Sequence, residues 1–239
     1  MGALLRTTFD LVDGSDDAAT PADLCRLYFA KLKPLGFGAI FARAHALEPG
    51  DTHEHVLYQE RPPGFDQVYA TRNFAATNFV TRAARRRAAP FRWSGLANTG
   101  DADLAESTRE MWGVLGTFGL ADGIAIPNHT LASVTVLSLA THDGADLSAA
   151  QMKAIVLSSH FIHERLRELG RVPFPEIRLT RRERDCVAFA AEGKSDWDMS
   201  LIFGIAESTV HSHVENAKRK LRVKTRLQAY ARLARAGEL

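Results

Sequence analysis

The hydrophobic positions of this 239-residue chain change their spacing several times, and each change predicts an element. Behind Thr20-Pro21, a capping residue followed by a first-turn proline, Leu24, Leu27, Tyr28 and Leu32 recur at helical intervals. They predict a helix that Pro34 and Gly36 end. FGAIFARAHAL (37–47) and HVLYQE (55–60) read as two strands with a turn at Pro49-Gly50 between them. Helical spacing returns from Pro62 to about Ala88, with a break near Ala75. A further helix, about 103–118, sets Trp112, Leu115 and Phe118 at helical spacing. GIAIP (123–127) and LASVTVLSLAT (131–141) are two more strands around the turn Asn128-His129-Thr130. Ser148 and Gln151 then form a capping box for a long helix to Leu169, whose apolar face is Met152, Ile155, Val156, Ile162, Leu166 and Leu169. This order predicts an α/β domain over 1–170, an antiparallel sheet sandwiched by helices in α/β/α layers.

RVPFPEIR (171–178), with two prolines and no helical period, reads as a linker. Everything after it is helical, which predicts a small all-α domain over 179–239. Thr180 and Glu183 make a second capping box, with Val187 and Ala190 facing inward until Gly193. A short helix (about 195–203), a tight turn at Gly204 and a helix from about Glu207 to Leu221 follow, closed by a helix over about 225–236. Two short helices joined through a glycine, the second basic, have the helix-turn-helix layout.

Charge supports that layout. Residues 171–239 hold 14 Lys and Arg against 9 Asp and Glu, while the rest of the chain holds 16 against 19. A basic end on a mildly acidic body points to a polyanionic partner. Val210, Val214, Ala217 and Leu221 form the inward stripe of the helix after the turn. That leaves Thr209, His211, Ser212, Asn216 and Arg219 outward, the residue types that read base edges or grip phosphate. Glu215 and Arg222 share that side.

Other chemistries find no support. Cys25 and Cys186 lie far apart, as suits a reducing cytoplasm, and no apolar run reaches membrane-spanning length, so the expectation is a cytoplasmic chain without a membrane. The histidine pairs at 53/55, 160/163 and 211/213 lack further ligands at metal spacing. No nucleophile elbow, zinc-protease or phosphate-loop motif is present. No catalytic residue, metal or cofactor is expected, and the chain is not expected to be an enzyme.

The segment LTRRERDCVAFAAEGKS…GIAESTVHSHVENAKRKLRVKT resembles the C-terminal DNA-binding domain of LuxR-type regulators over about sixty residues. Glu183, Val187 and Gly193 match marked positions, as does the T-V-x-x-H-V-x-N core at Thr209–Asn216. Ala206 departs from the serine cap usual there. The resemblance implies that Lys194 and Lys224 hold backbone phosphates and that the 209–219 face enters the major groove. It also implies a homodimer on an approximately palindromic operator in double-stranded DNA.

Upstream, residues 20–165 are similar to the family's autoinducer-binding domain, through Pro62, Phe65, Tyr69, Pro90–Trp93, GIAIP from Gly123, and Ser138. That implies a ligand pocket between sheet and helices, for an N-acyl-homoserine lactone or a related atypical small molecule. Its expected residues are Arg61, Phe65, Tyr69, Asn78, Trp93, Gly123 and Ser138. Three depart from the family pattern. Phe65 replaces an indole donor, Asn78-Phe79 replaces an Asp-Pro pair, and Arg61 replaces a tyrosine at the pocket edge. FDQVYATRNFAATNF (65–79) therefore has two readings: a pocket wall, or ordinary aromatic core over a closed pocket. The basic RAARRR (82–87) is expected on the exposed side of its helix. With a closed pocket the chain is an orphan regulator, acting without ligand or by pairing with a related receptor.

Overall fold

In the computed structural model, residues 15, 17–47, 54–96, 102–142, 147–169 and 177–239 are described. The expected Pro49-Gly50 turn, and all of the expected linker but Ile177 and Arg178, lie outside them. The chain divides into two compact units: Met1–His45, Thr52–Asn128 and Val134–Pro173 form one, and Ala46–Asp51, His129–Ser133 and Phe174–Leu239 the other.

The first unit is built on a five-stranded antiparallel sheet ordered β2-β1-β5-β4-β3. Its strands are β1 (Phe37–Ala46), β2 (Glu54–Glu60), β3 (Phe91–Arg92), β4 (Leu120–His129) and β5 (Ser133–His142). Nearly every residue of β1 and β5 is buried, as central strands covered on both faces must be. β2 is an edge strand and more exposed. Its pairing with β1 shifts register between Ala42 and Arg43, where Leu57 is the extra residue on β2. β1 itself stays regular, so its side chains alternate between the two faces.

On one face lie α1 (Pro21–Leu32) and α6 (Ala149–Glu168). Thr20 caps α1 through the Asp23 N–H, and Ser148 and Gln151 close the expected capping box on α6. The Tyr28 hydroxyl donates to the Ile155 carbonyl (3.1 Å) and meets Ser159 Oγ at 2.6 Å, so the two helices are joined by a satisfied buried polar cluster. His163 Nε2 lies 3.0 Å from the Ile126 carbonyl. A carbonyl only accepts, so Nε2 carries the proton.

The other face carries α2 (Phe65–Thr71), α3 (Phe74–Thr77), α4 (Phe79–Ala84) and α5 (Ala102–Thr117). The single break expected near Ala75 is instead two breaks. Asn73 takes a left-handed conformation (φ 52°), which asparagine tolerates, and Asn78 ends α3 and caps α4. β4 and β5 also shift from expectation. β4 runs on to His129, and the turn is Thr130–Ala132, held by Thr130 Oγ1 accepting from the Ala132 and Ser133 N–H groups. β3, two residues long, is too short for a periodicity to show.

The second unit holds α7 (Arg181–Ala191), α8 (Asp196–Phe203), α9 (Glu207–Lys220) and α10 (Arg226–Arg235). Leu179, Val187, Ala217, Leu221, Ala229 and Leu233 share one core cluster, and Cys186, Met199, Val210 and Val214 another. Capping boxes start α7, α8 and α10. α9 begins at Ala206 with no side-chain cap, leaving only Glu207 to favour its dipole.

Candidate functional site

A cavity of about 420 Å³ of unfilled space, its mouth included, lies between the sheet and the helices of the second face. Phe41, Arg43 and His45 reach it from alternate positions of β1, and Val136 and Ser138 from β5. Helix α2 adds Phe65 and Tyr69. Asn78, Val80 and Thr81 come from the start of α4, and Met111 and Leu115, one turn apart, from α5. Trp93 completes the wall. Five of the seven expected ligand residues thus meet at one cavity: Phe65, Tyr69, Asn78, Trp93 and Ser138.

The other two stand elsewhere. Gly123 does not line the cavity. A Cβ there would sit 2.6 Å from two indole atoms of Trp93 and 2.7 Å from the Leu139 carbonyl oxygen. Glycine at 123 therefore lets the indole lie flat on β4, and its role is to seat Trp93. Arg61 stands behind the wall, ion-paired with Asp66 at 2.5 Å, its guanidinium over Phe41, Phe65 and Tyr69 at 5.7, 5.5 and 5.3 Å.

The aromatic walls pack edge to face, except for the tilted Phe41–Phe65 pair. Phe65 lies 6.0 Å from Phe41 and 5.3 Å from Phe118, and Tyr69 5.9 Å from Phe74. Phe79 meets Trp93 edge-on at 6.0 Å and stacks on Trp112 at 6.3 Å. The Trp112 N–H is spent on the Ala121 carbonyl, 2.6 Å away. The Trp93 N–H, fully buried, has no acceptor among the described residues.

Asn78 is more constrained than its sequence position suggests. Its Oδ1 accepts the Thr81 N–H (3.0 Å) as the cap of α4, which fixes the amide's orientation. Its Nδ2 therefore points the other way and donates to the Tyr69 hydroxyl at 3.0 Å. Arg43 Nη1 donates to the same hydroxyl, also at 3.0 Å. With both lone pairs of Tyr69 Oη taken, its own proton is left to donate.

Arg43, His45 and Thr81 also line the cavity, beyond the residues that the sequence pattern points to. The signal was there: in FGAIFARAHA, Arg43 and His45 alternate with alanines on the face that Phe41 occupies. Arg43 is 4% exposed, pairs with Glu54 through Nε (2.9 Å) and lies over Phe41 and Tyr69. Burial, then the charges of Arg43 and Arg85, push His45 down to about 4, so at neutral pH it is uncharged.

In the second unit, Lys194, Thr209, His211, Ser212, Arg219 and Lys224 are exposed, and Asn216 is half-buried. On α9, Arg219 Nη2 donates to Asn216 Oδ1 at 2.9 Å, and Ser212 Oγ to the Ser208 carbonyl. Glu215 pairs with Lys218 at 2.7 Å, which tempers the acid on an otherwise basic face. Asp196, at the start of α8, joins His211 of α9 (3.2 Å) and Arg226 of α10 (2.7 Å). Burial would raise its carboxyl, but the Arg226 and His211 contacts hold it below the usual carboxylate value. Glu183, 3% exposed, accepts from the Thr180 N–H and from Lys220 Nζ, both at 2.7 Å, tying α7 to the end of α9. Gly204 turns the chain between α8 and α9 in a left-handed conformation (φ 65°).

Comparison with known proteins follows the same division. The family model described as "Autoinducer binding domain" matches residues 20–166, and "Bacterial regulatory proteins, luxR family" matches residues 178–233. The quorum sensing-dependent transcriptional regulator RpaR of Rhodopseudomonas palustris is 32% identical, over 97% of this chain and 94% of its own. The transcriptional activator protein AhyR of Aeromonas hydrophila is 30% identical over 77% and 73%. Among solved structures, SdiA of Escherichia coli shares the fold with a TM-score of 0.58 at 20% identity, covering 96% of both chains. These relatives are transcription regulators, not enzymes.

Proposed function

This chain belongs to the LuxR family of bacterial regulators, and from that membership we propose how its two units divide the work of a DNA-binding transcription regulator controlled by a small-molecule signal. Residues 1–170 take up the signal and dimerise, 171–178 link, and 179–239 bind DNA. The protein acts in the cytoplasm as a homodimer, setting two copies of α9 into successive major grooves of an approximately palindromic operator. Arg219, Asn216, Ser212, His211 and Thr209 face the bases, and Lys194 and Lys224 hold phosphates.

The observation that carries the ligand reading is the cavity where Phe65, Tyr69, Asn78, Trp93 and Ser138 meet around unfilled space. The ligand is an N-acyl-homoserine lactone or a related atypical molecule. Tyr69 supplies a hydroxyl donor and Trp93 an indole donor, in place of the one that Phe65 lacks. Asn78 keeps one lone pair on Oδ1 for a ligand N–H, the other being bound to Thr81.

That last point also favours a second reading. An amide oxygen already committed to a helix cap is a weaker acceptor than a carboxylate. A regulator with so altered a grip also fits an orphan that works without ligand or pairs with a related receptor. Mass spectrometry of the protein purified from its native host, with gel-mobility assays before and after extraction of bound molecules, separates the two. A stoichiometric small molecule whose removal changes operator affinity supports the receptor. No bound molecule, and the same affinity with and without host extract, supports the orphan.

A further inference from the structure

The hydrogen-bonding groups around the cavity are unevenly divided between donors and acceptors. Tyr69 Oη has its proton to give. The Trp93 N–H is buried without an acceptor. Arg43 donates Nη1 to Tyr69 and, more distantly, to Glu54; its Nε is ion-paired with Glu54 at 2.9 Å but is buried without a hydrogen bond, and its Nη2 makes none among the described residues. Behind the same rings, the buried Arg61 Nη1 likewise has no acceptor. Against these four donors stand one free lone pair on Asn78, with the two-way hydroxyls of Ser138 and Thr81 and the neutral His45 ring, which offers one acceptor and one donor nitrogen.

Charge follows the same division. Arg43 and Arg61 both stack on Phe41 and Tyr69, at 5.2 to 5.7 Å, so two cations share one aromatic platform. Their carboxylates, Glu54 and Asp66, do not line the cavity, and the Asp66 side chain is 69% exposed, where water weakens its field. His45 adds no charge at neutral pH. Among the described residues that line the cavity, the only formal charge is the Arg43 guanidinium, which is paired outside it with the largely buried Glu54, and burial raises the cost of leaving its remaining N–H groups unsatisfied.

We propose that the ligand is an organic acid, its carboxylate held by Arg43 Nη2 and the Tyr69 hydroxyl, with an apolar body against Phe65, Trp93 and Leu115. This rests on the reading of the cavity as a signal site and narrows it from a neutral lactone to an anion. A planar carboxylate matches the guanidinium fork and takes the Tyr69 proton as well. It also sets a negative charge beside two guanidiniums whose own carboxylates stand outside the cavity. A neutral lactone satisfies the same donors only as an uncharged acceptor.

The test is calorimetric titration of the full-length wild-type protein with two pairs of probes. Each pair sets a neutral carbonyl derivative against the carboxylate; in the first pair ring opening also frees a hydroxyl, which the second pair controls for. One pair is N-octanoyl-homoserine lactone and its ring-opened acid, N-octanoyl-homoserine; the other is 3-phenylpropanamide and 3-phenylpropanoate. In at least one pair the acid is expected to bind at least tenfold more tightly than its neutral partner. Arg43→Met should erase that preference, and because Arg43 is buried and also holds Tyr69, Arg61→Met gives a second reading with a smaller loss. The wild-type comparison stands even if neither variant folds. If in neither pair the acid binds at least tenfold more tightly than its neutral partner, the carboxylate assignment is overturned and the receptor reading stays intact. Binding of no probe also overturns the assignment, and the co-purification experiment then judges the receptor reading separately.

Discussion

Gly123→Ala probes how the cavity wall is built. The added methyl carbon would stand 2.6 Å from Cδ2 and Cε2 of Trp93 and 2.7 Å from the Leu139 carbonyl oxygen, all below any relaxed carbon contact. The oxygen belongs to the neighbouring strand and cannot retreat without disturbing the sheet. The indole is the movable partner, yet it is 3% exposed and packed against Phe79. Overpacking of this kind costs about 1–3 kcal/mol. In a unit of this size each kcal/mol lowers the melting temperature by roughly 2–4 °C, so a loss of about 2–12 °C is expected. Circular-dichroism melts of the full chain measure it. Gly95→Ala is the control, because nothing lies within 4 Å of its Cβ position, and its shift should stay within about 0.5 kcal/mol. If the two variants melt alike, Trp93 does not rest on Gly123 as described.

Three further outcomes are expected. Burial pushes His163 and His45 down to about 4. In the unfolded chain they take a proton near 6.5, so their stabilising effect is complete above that value and is lost as pH falls toward 4. Between pH 7 and 5 each costs about 1–2 kcal/mol, read as a lower urea midpoint; His163→Gln should flatten the dependence, and equal midpoints at both pH values would refute it. Arg219→Ala should abolish specific operator binding in a mobility assay without altering oligomer mass, whereas Lys194→Ala or Lys224→Ala should each reduce the salt slope of binding by about 1 and spare sequence preference. Ala206→Ser should stabilise the helical unit by about 0.5–2 kcal/mol, because the backbone there is already extended as a cap requires; an unchanged denaturation midpoint would count against an uncapped α9.

The helical unit was largely legible because its signals are local. The capping box of Thr180 and Glu183, the glycine at 204 and the stripe Val210, Val214, Ala217 and Leu221 each lie within one turn of what they control. The cavity was only partly legible, because its chemistry is made between elements. Phe65 and Tyr69, four residues apart on α2, could be placed on one face from spacing alone. Their meeting with Arg43 depends on how β1 lies beneath α2, which no local pattern encodes. Gly123 was identified by position, but its reason, an indole arriving from residue 93, is a tertiary fact. Asn78 was read as a ligand acceptor, and its competing duty as the cap of α4 follows from a helix start that the sequence had placed inside a longer helix.

The three tryptophans of the chain are distributed in a way that turns the protein into its own optical sensor. Trp93 and Trp112 flank Phe79 in the first unit, Trp93 on the cavity wall, while Trp197 sits on α8 with 58% of its surface in water. An aqueous quencher reaches Trp197 most and the buried Trp93 least, with the half-buried Trp112 between them, so the most quenchable emission reports on the helical unit and the most shielded on the cavity. A fluorometer can then follow occupancy of the cavity and engagement of the operator in one cuvette, without a label on either.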